Sequence, residues 1–280
     1  MTDPTGGAHG PGAGSVTDEE LLDLARSVAD EAADLVRRQR REGVEVADTK
    51  SSPVDIVTEV DRAAERLIYS RITQARPDDG FLGEEGASAE STTGVTWVVD
   101  PIDGTVNFLY GIPQYAVSIA ASRGDKVVAG VVVNVASGEV FAASRGGGAT
   151  LDGRPLRVRD VVPLEQCLIA TGFNYVAEVR ALQAAAVARM LNTVRDVRRL
   201  GSAALDLCAL AAGRIDGFVE EGLNPWDRAA GGLIATEAGA RVETWPGAGG
   251  TDCVVAGPAA GFDNFSALVE KCGFLAGERE

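Results

Sequence analysis

Residues 97–143 hold four runs rich in β-branched and aromatic residues. The runs 97–99, 115–121, 127–134 and 139–143 are separated by Gly, Asp, Ser and Lys. Successive runs of this kind predict an antiparallel meander. Helices are expected before it. Residues 17–41 carry Leu21, Leu24, Ala25, Val28, Ala32, Leu35 and Val36 at helical spacing, behind a capping box of Thr17 and Glu20. A second helix is predicted from near Thr58, with Ala63, Ala64, Leu67, Ile68 and Ile72 on its apolar stripe and Pro77 as its stop.

After Glu165 the rhythm changes to alternation. Strands are predicted near 167–171, 194–197, 215–220, 240–243 and 253–256, and helices over 176–191, 202–212, 227–238 and about 263–272. The expected fold is therefore α/β, in two subdomains, 16–162 and 163–280, divided near 161–164. The Gly-rich, polar segment 1–15 reads as a disordered tail, and no repeat of solenoid period occurs. With 280 residues, 45% hydrophobic and 24% charged, the chain can fill one large core or two smaller ones.

Composition narrows the chemistry. No apolar run is long enough to span a bilayer, and the N-terminus lacks the charged-then-apolar order of a secretory signal. Cys167, Cys208, Cys253 and Cys272 show no C-x-x-C spacing, so buried free thiols in a reducing cytoplasm are expected. A net charge of −15 argues against direct nucleic-acid binding, which relies on Lys and Arg. It does not exclude phosphate substrates, because divalent cations invert the sign of an acidic pocket. The single histidine, His9, lies in the tail, which argues against a His-based triad or phosphohistidine chemistry.

Four segments carry the chemistry. The first is Gly83-Glu84-Glu85-Gly86, which alone reads as a solvated turn. In the second, the apolar run 97–99 ends in Asp100-Pro101-Ile102-Asp103-Gly104-Thr105, placing two hard oxygen donors beside a small-residue turn that can open a helix over an anion. The third, Asn224-Pro225-Trp226-Asp227, sets an acid in the first turn of a predicted helix, where a cap is the ordinary reading. The fourth runs from Lys50 through Asp55 to Thr58 and Asp61, a polar loop whose end caps the next helix.

Taken together, these segments resemble the inositol monophosphatase family. The resemblance rests on Gly83-Glu84-Glu85, on Trp-Val-Val-Asp-Pro-Ile-Asp-Gly-Thr-Val-Asn-Phe at 97–108 and on Trp226-Asp227-Arg228-Ala229-Ala230-Gly231. Lys50 to Asp61 and Gly201-Ser202-Ala203-Ala204 support it. It covers about 17–272 and is strongest to the SuhB-type bacterial branch, through Tyr110-Gly111-Ile112-Pro113 and the stretch 195–206.

The resemblance implies a layered αβαβα sandwich and a Mg²⁺-dependent phosphomonoesterase holding two to three ions. Glu84, Asp100 and the Ile102 carbonyl would bind the first ion, Asp100, Asp103 and Asp227 the second, and a third, weaker ion would lie near Glu84. Two ions can clamp an in-line displacement without a protein nucleophile. Thr105, paired with the carboxylate of Asp55, would orient the attacking water. Gly104 and Thr105 N–H groups would meet the phosphate, and Lys50 would moderate the carboxylate charge.

Asp103, Ser202 or Ala203, Glu220 and Asp227 would contact the inositol hydroxyls. Glu220 is the best discriminator for a polyol, although it reads equally as a surface acid beside Glu221. Asn224-Pro225 departs from the His or Gln often found there in inositol phosphatases. The substrate implied is myo-inositol 1-phosphate, with histidinol phosphate, fructose 1,6-bisphosphate, NADP or a 3′-phosphonucleotide as alternatives. Lithium sensitivity and a homodimer follow from the same resemblance, and the SuhB likeness raises a second role as a binding partner of the transcription machinery.

Overall fold

Thr17 and Thr58 each open a helix with a reciprocal capping box, Thr17 with Glu20 and Thr58 with Asp61. The computed structural model describes residues 16–43, 46–49 and 56–277, with backbone alone for 46–49 and 56. The tail 1–15, Lys50 and Asp55 lie outside the described residues. The first half runs α1 (Asp18–Glu42), β1 (Val46–Thr49), β2 (Ile56–Thr58), α2 (Glu59–Ala75), β3 (Gly80–Gly83), β4 (Ser88–Ala89), β5 (Val95–Asp103), α3 (Thr105–Tyr110), β6 (Ala116–Arg123), β7 (Lys126–Asn134), β8 (Val140–Ser144), β9 (Gly148–Leu151) and β10 (Arg154–Pro155). The second half runs β11 (Leu168–Thr171), α4 (Ala177–Met190), β12 (Asp196–Arg198), α5 (Ala203–Ala211), β13 (Gly217–Glu221), α6 (Pro225–Glu237), β14 (Ala240–Pro246), β15 (Asp252–Pro258) and α7 (Phe262–Cys272).

The meander forms an eight-stranded sheet ordered β10-β9-β8-β7-β6-β5-β3-β4, and the alternating half forms a five-stranded sheet ordered β12-β11-β13-β15-β14. β1 and β2 pair separately. Within the large sheet only β3 and β5 run parallel. Side chains alternate across each strand, so each sheet presents two faces. Val117, Ile119, Val131 and Val133 pack with Leu21, Ala25, Val28, Ile68 and Ile72 of α1 and α2. Ala116, Ala120 and Val132, on the opposite face, meet Leu205, Cys208, Ala230 and Ile234 of α5 and α6.

Helices α5 and α6 also cover the smaller sheet. Leu207, Leu210 and Ala235 pack on Ala170, Phe218, Val254 and Ala256, while Ile169, Val219 and Val255 face Met190, Phe265 and Val269 of α4 and α7. Four cores thus separate five layers: α1/α2, sheet, α5/α6, sheet, α4/α7. A helix pair buried on both sides must be apolar all round. All nine residues of α5 are indeed buried.

Boundaries differ from the sequence reading by a few residues at most elements, as at the strand expected over 194–197 and found at Asp196–Arg198. β3 was not expected as a strand, because its four residues Gly-Phe-Leu-Gly are too few to show a period. It forms by parallel pairing to β5, a non-local partner. The four cysteines are buried and free, as expected. Among the described residues, no helix is long and apolar enough to cross a membrane.

Candidate active site

Residues three apart on a regular strand point to opposite faces, yet Asp100 and Asp103 line the same cleft. A bulge reconciles the two facts. Asp100 pairs with Ser118 and Asp103 with Ala116, so three steps on β5 match two on β6. The irregularity spans Pro101, which has no N–H to give the ladder. Asp100 Oδ1 accepts the Ile102 N–H at 3.0 Å, which folds its carboxylate back over the bulge.

Gly104 follows with φ +94°, and a Cβ there would lie 2.9 Å from the Gln114 carbonyl and 3.0 Å from that of Gly201. Only glycine fits. Its left-handed turn opens α3, whose first residue, Thr105, donates its hydroxyl toward Asp61 Oδ1 and the Ile102 carbonyl, each at 3.1 Å. Among the described residues the carboxylate at the Thr105 hydroxyl is Asp61; Asp55, the partner implied by the resemblance, lies outside them. In the sequence Asp61 reads only as a helix cap. It does both tasks, because one oxygen accepts from Thr58 and the other from Thr105.

The two halves meet at Asp103. Its Oδ2 accepts the Ser202 hydroxyl at 2.6 Å and the Ala204 N–H at 2.7 Å, at the start of α5. Asp227 sits at the third position of α6 and accepts the Asn224 N–H at 2.6 Å. Glu84 follows β3 directly, and its N–H donates to the Val99 carbonyl at 3.1 Å, which ties it to β5. Glu220 occupies β13 and packs against Gly172, where a Cβ would fall 1.8 Å from its Oε1. It is a wall of the cleft rather than an outer-surface acid, whereas its neighbour Glu221 is buried and accepts from Gly249 and Thr251.

These elements enclose a cleft of about 650 Å³ lined by Glu84, Asp100, Ile102, Asp103, Gly104, Thr105, Ser202, Ala203, Glu220 and Asp227. Every expected site residue that lies within the described residues is therefore in one place. Sequence reasoning did not single out Arg180 and Arg199, which also line the cleft. Arg180 belongs to no motif and Arg199 only to the branch-specific stretch 195–206; they reach the cleft from the first turn of α4 and from just past β12.

The electrostatics are those of a donor set short of positive charge. Burial, then Glu84, Asp103 and Asp227, push the Asp100 carboxyl well above its usual range. Asp227 is likewise raised well above it, by burial and then by Asp103 and Glu84. Burial lifts Asp103 to about 6 despite the bonds from Ser202 and Ala204, and lifts Asp61 to about 6 against its bonds from Thr58. Glu220 rises to about 7 through burial, with Arg199 pulling it down. Among the described residues no three acids, histidines or cysteines close into a ready cage. An open set of crowded carboxylates fits a hard cation that keeps several waters and takes its remaining ligands from substrate.

A strand-end acid cluster facing a helix start, in a cleft lined from both halves of the chain, has known counterparts. The model of the inositol monophosphatase family matches residues 17–271. The chain belongs to the inositol monophosphatase family. It is 49% identical over 260 residues to an inositol-1-monophosphatase of Mycobacterium bovis, covering 86% of this chain and 90% of that one. It is 39% identical to the Nus factor SuhB of Vibrio cholerae over 85% of this chain and 89% of that one. The solved structure of Mycobacterium tuberculosis SuhB superposes with a TM-score of 0.80 at 46% identity, over 92% of this chain and 99% of that chain. This inositol monophosphatase family member is accordingly a phosphatase, with the layered α/β architecture of its solved relatives.

Proposed function

We propose that this phosphatase hydrolyses myo-inositol 1-phosphate to myo-inositol and phosphate, with Mg²⁺ held by Glu84, Asp100, the Ile102 carbonyl, Asp103 and Asp227. The observation that carries the reading is the convergence of those donors with Thr105 and Glu220 on one cleft. Mg²⁺ bound there, as two or three ions, supplies Lewis-acid activation of water and neutralises the phosphate. The Thr105 hydroxyl, fixed by Asp61 and the Ile102 carbonyl, orients the attacking water. Gly104 and Thr105 N–H groups receive the phosphate. On the sugar side, Ser202, Ala203, Asp227 and above all Glu220 accept from or hold the ring hydroxyls. Lys50 and Asp55 remain assigned near the metals by resemblance alone.

In this reading residues 16–162 supply most metal donors and 163–280 the polyol wall, so neither half works alone. Homodimerisation, lithium inhibition and a cytoplasmic location belong to the same proposal. The deciding experiment compares kcat/KM for myo-inositol 1-phosphate, histidinol phosphate, fructose 1,6-bisphosphate, NADP and a 3′-phosphonucleotide, with Mg²⁺ and with EDTA. A tenfold or greater preference for another substrate refutes the substrate assignment, and activity unchanged in EDTA refutes the metal assignment.

A second reading has its own observation, the 39% identity to proteins named Nus factor SuhB. An Asp100→Asn protein that loses hydrolysis yet still captures RNA polymerase and Nus factors in a pull-down would support a separate binding role.

A further inference from the structure

Glu84 stands on the turn of a short hairpin. β4 has only two residues, paired Phe81 with Ala89 and Leu82 with Ser88. A ladder that short does not hold its turn rigid by itself. The Gly83 N–H closes the turn by donating to the Ala87 carbonyl at 2.9 Å, and the Glu84 N–H reaches the Val99 carbonyl at 3.1 Å. The N–H groups of Glu85 and Ala87 go instead to a single side chain.

That side chain is Glu65 of α2. Its Oε2 accepts the Glu85 N–H at 2.7 Å and its Oε1 the Ala87 N–H at 2.9 Å. Glu65 is buried, and a Cβ at Gly83 would fall on its Oε2, so the glycine leaves room for the carboxylate. Burying a carboxylate is costly, and two charge-assisted bonds offset that cost. Asp61, Glu65 and Tyr69 follow one another at one-turn spacing on α2 and share a face. Asp61 fixes Thr105, Glu65 takes the turn that carries Glu84, and Tyr69 meets Phe81 of β3 edge to face at 5.1 Å.

We propose that Glu65 is a positioning residue for Glu84. Its two oxygens fix the backbone that follows Glu84, as the Val99 carbonyl fixes the N–H of Glu84 itself, so the Glu84 carboxylate is held in the cleft before a cation arrives. The proposal rests on the metal reading above, in which Glu84 is a donor. Partners that orient a donor in this way set metal affinity more than the chemical step. The role also accounts for a buried acid on a helix face that packs against the sheet.

The test uses the full chain with Mn²⁺ as the probe, titrated by calorimetry. Glu65→Gln keeps the shape but offers one acceptor oxygen in place of two. It is expected to weaken Mn²⁺ binding about tenfold, while kcat at saturating Mg²⁺ and KM for myo-inositol 1-phosphate stay within about twofold. In EDTA, the Glu85 and Ala87 amides should exchange hydrogen at least about tenfold faster than in wild type, with the amides of β5 to β7 unchanged. Gly83→Ala leaves Glu65 in place but sets a methyl on its carboxylate; it should act alike, and it carries the test if Glu65→Gln does not fold. In a Glu84→Gln background, Glu65→Gln should add nothing. Unchanged exchange at Glu85 and Ala87, a lowered melting temperature with Mn²⁺ affinity intact, or additive losses in the double variant overturn the assignment. A wild type whose Mn²⁺ affinity ignores Glu84→Gln overturns the metal reading, and this inference with it. Affinity that depends on Glu84 but ignores both Glu65→Gln and Gly83→Ala overturns this inference alone.

Discussion

Replacing Asp103 by Asn in metal-free protein should stabilise the fold while abolishing hydrolysis. The amide keeps an oxygen for the Ser202 hydroxyl and Ala204 N–H, so the contacts at 2.6 and 2.7 Å survive, and the change removes mainly a charge. Burial, and repulsion from Glu84, hold this carboxyl at about 6 instead of 3.8. At about 1.4 kcal/mol for each tenfold change in proton affinity, the ionised form is disfavoured in the fold by about 3 kcal/mol at most.

The pH dependence gives the sign. Below about pH 4 the folded and unfolded chains both carry the proton, and the repulsion has no effect on stability. As pH rises from about 4 to 6 the unfolded chain sheds the proton first, so wild-type stability falls until the folded carboxyl has also ionised. Urea unfolding in EDTA should therefore show the variant about 1–3 kcal/mol more stable than wild type at pH 8 and nearly equal at pH 4. Added Mg²⁺ should stabilise wild type much more than the variant. A variant that is less stable at pH 8, or a difference that does not change between pH 4 and 8, would refute the view of this site as a charge-deficient donor cluster.

Three other substitutions probe the geometry. Thr105→Ala removes the hydroxyl between Asp61 and the Ile102 carbonyl, and kcat should fall about 100-fold with little change in KM or melting temperature, as read by steady-state kinetics and calorimetry. Gly104→Ala drives a Cβ against two backbone carbonyls at a positive φ, so it should lose at least about 2 kcal/mol in urea unfolding together with most activity. Gly172→Ala places a methyl where Glu220 Oε1 lies, at a backbone conformation any residue adopts; KM for myo-inositol 1-phosphate should rise severalfold at nearly constant kcat.

Much of this protein is legible before folding. The Thr17 and Thr58 caps, the meander and the later alternation are local patterns, set by side-chain period and capping chemistry, and they appear at nearly the expected positions. Of the acids, only Asp100 and Asp103 stand out by local pattern; Glu84 reads alone as a turn and Asp227 as a cap, and only the family resemblance joins the four. Tertiary structure alone decides what is non-local. β3 forms only because β5 lies beside it, and the bulge at Pro101 turns Asp100 and Asp103 to one side. Asp61, a helix cap in the sequence, becomes the partner of Thr105 because the first turn of α2 lies beside the start of α3. Glu220 becomes a cleft wall because the packing of the two halves carries β13, in the second sheet, to the cleft. Spacing along a chain encodes period and turn; which charges share a dry space depends on how the layers close, and no local pattern carries that information.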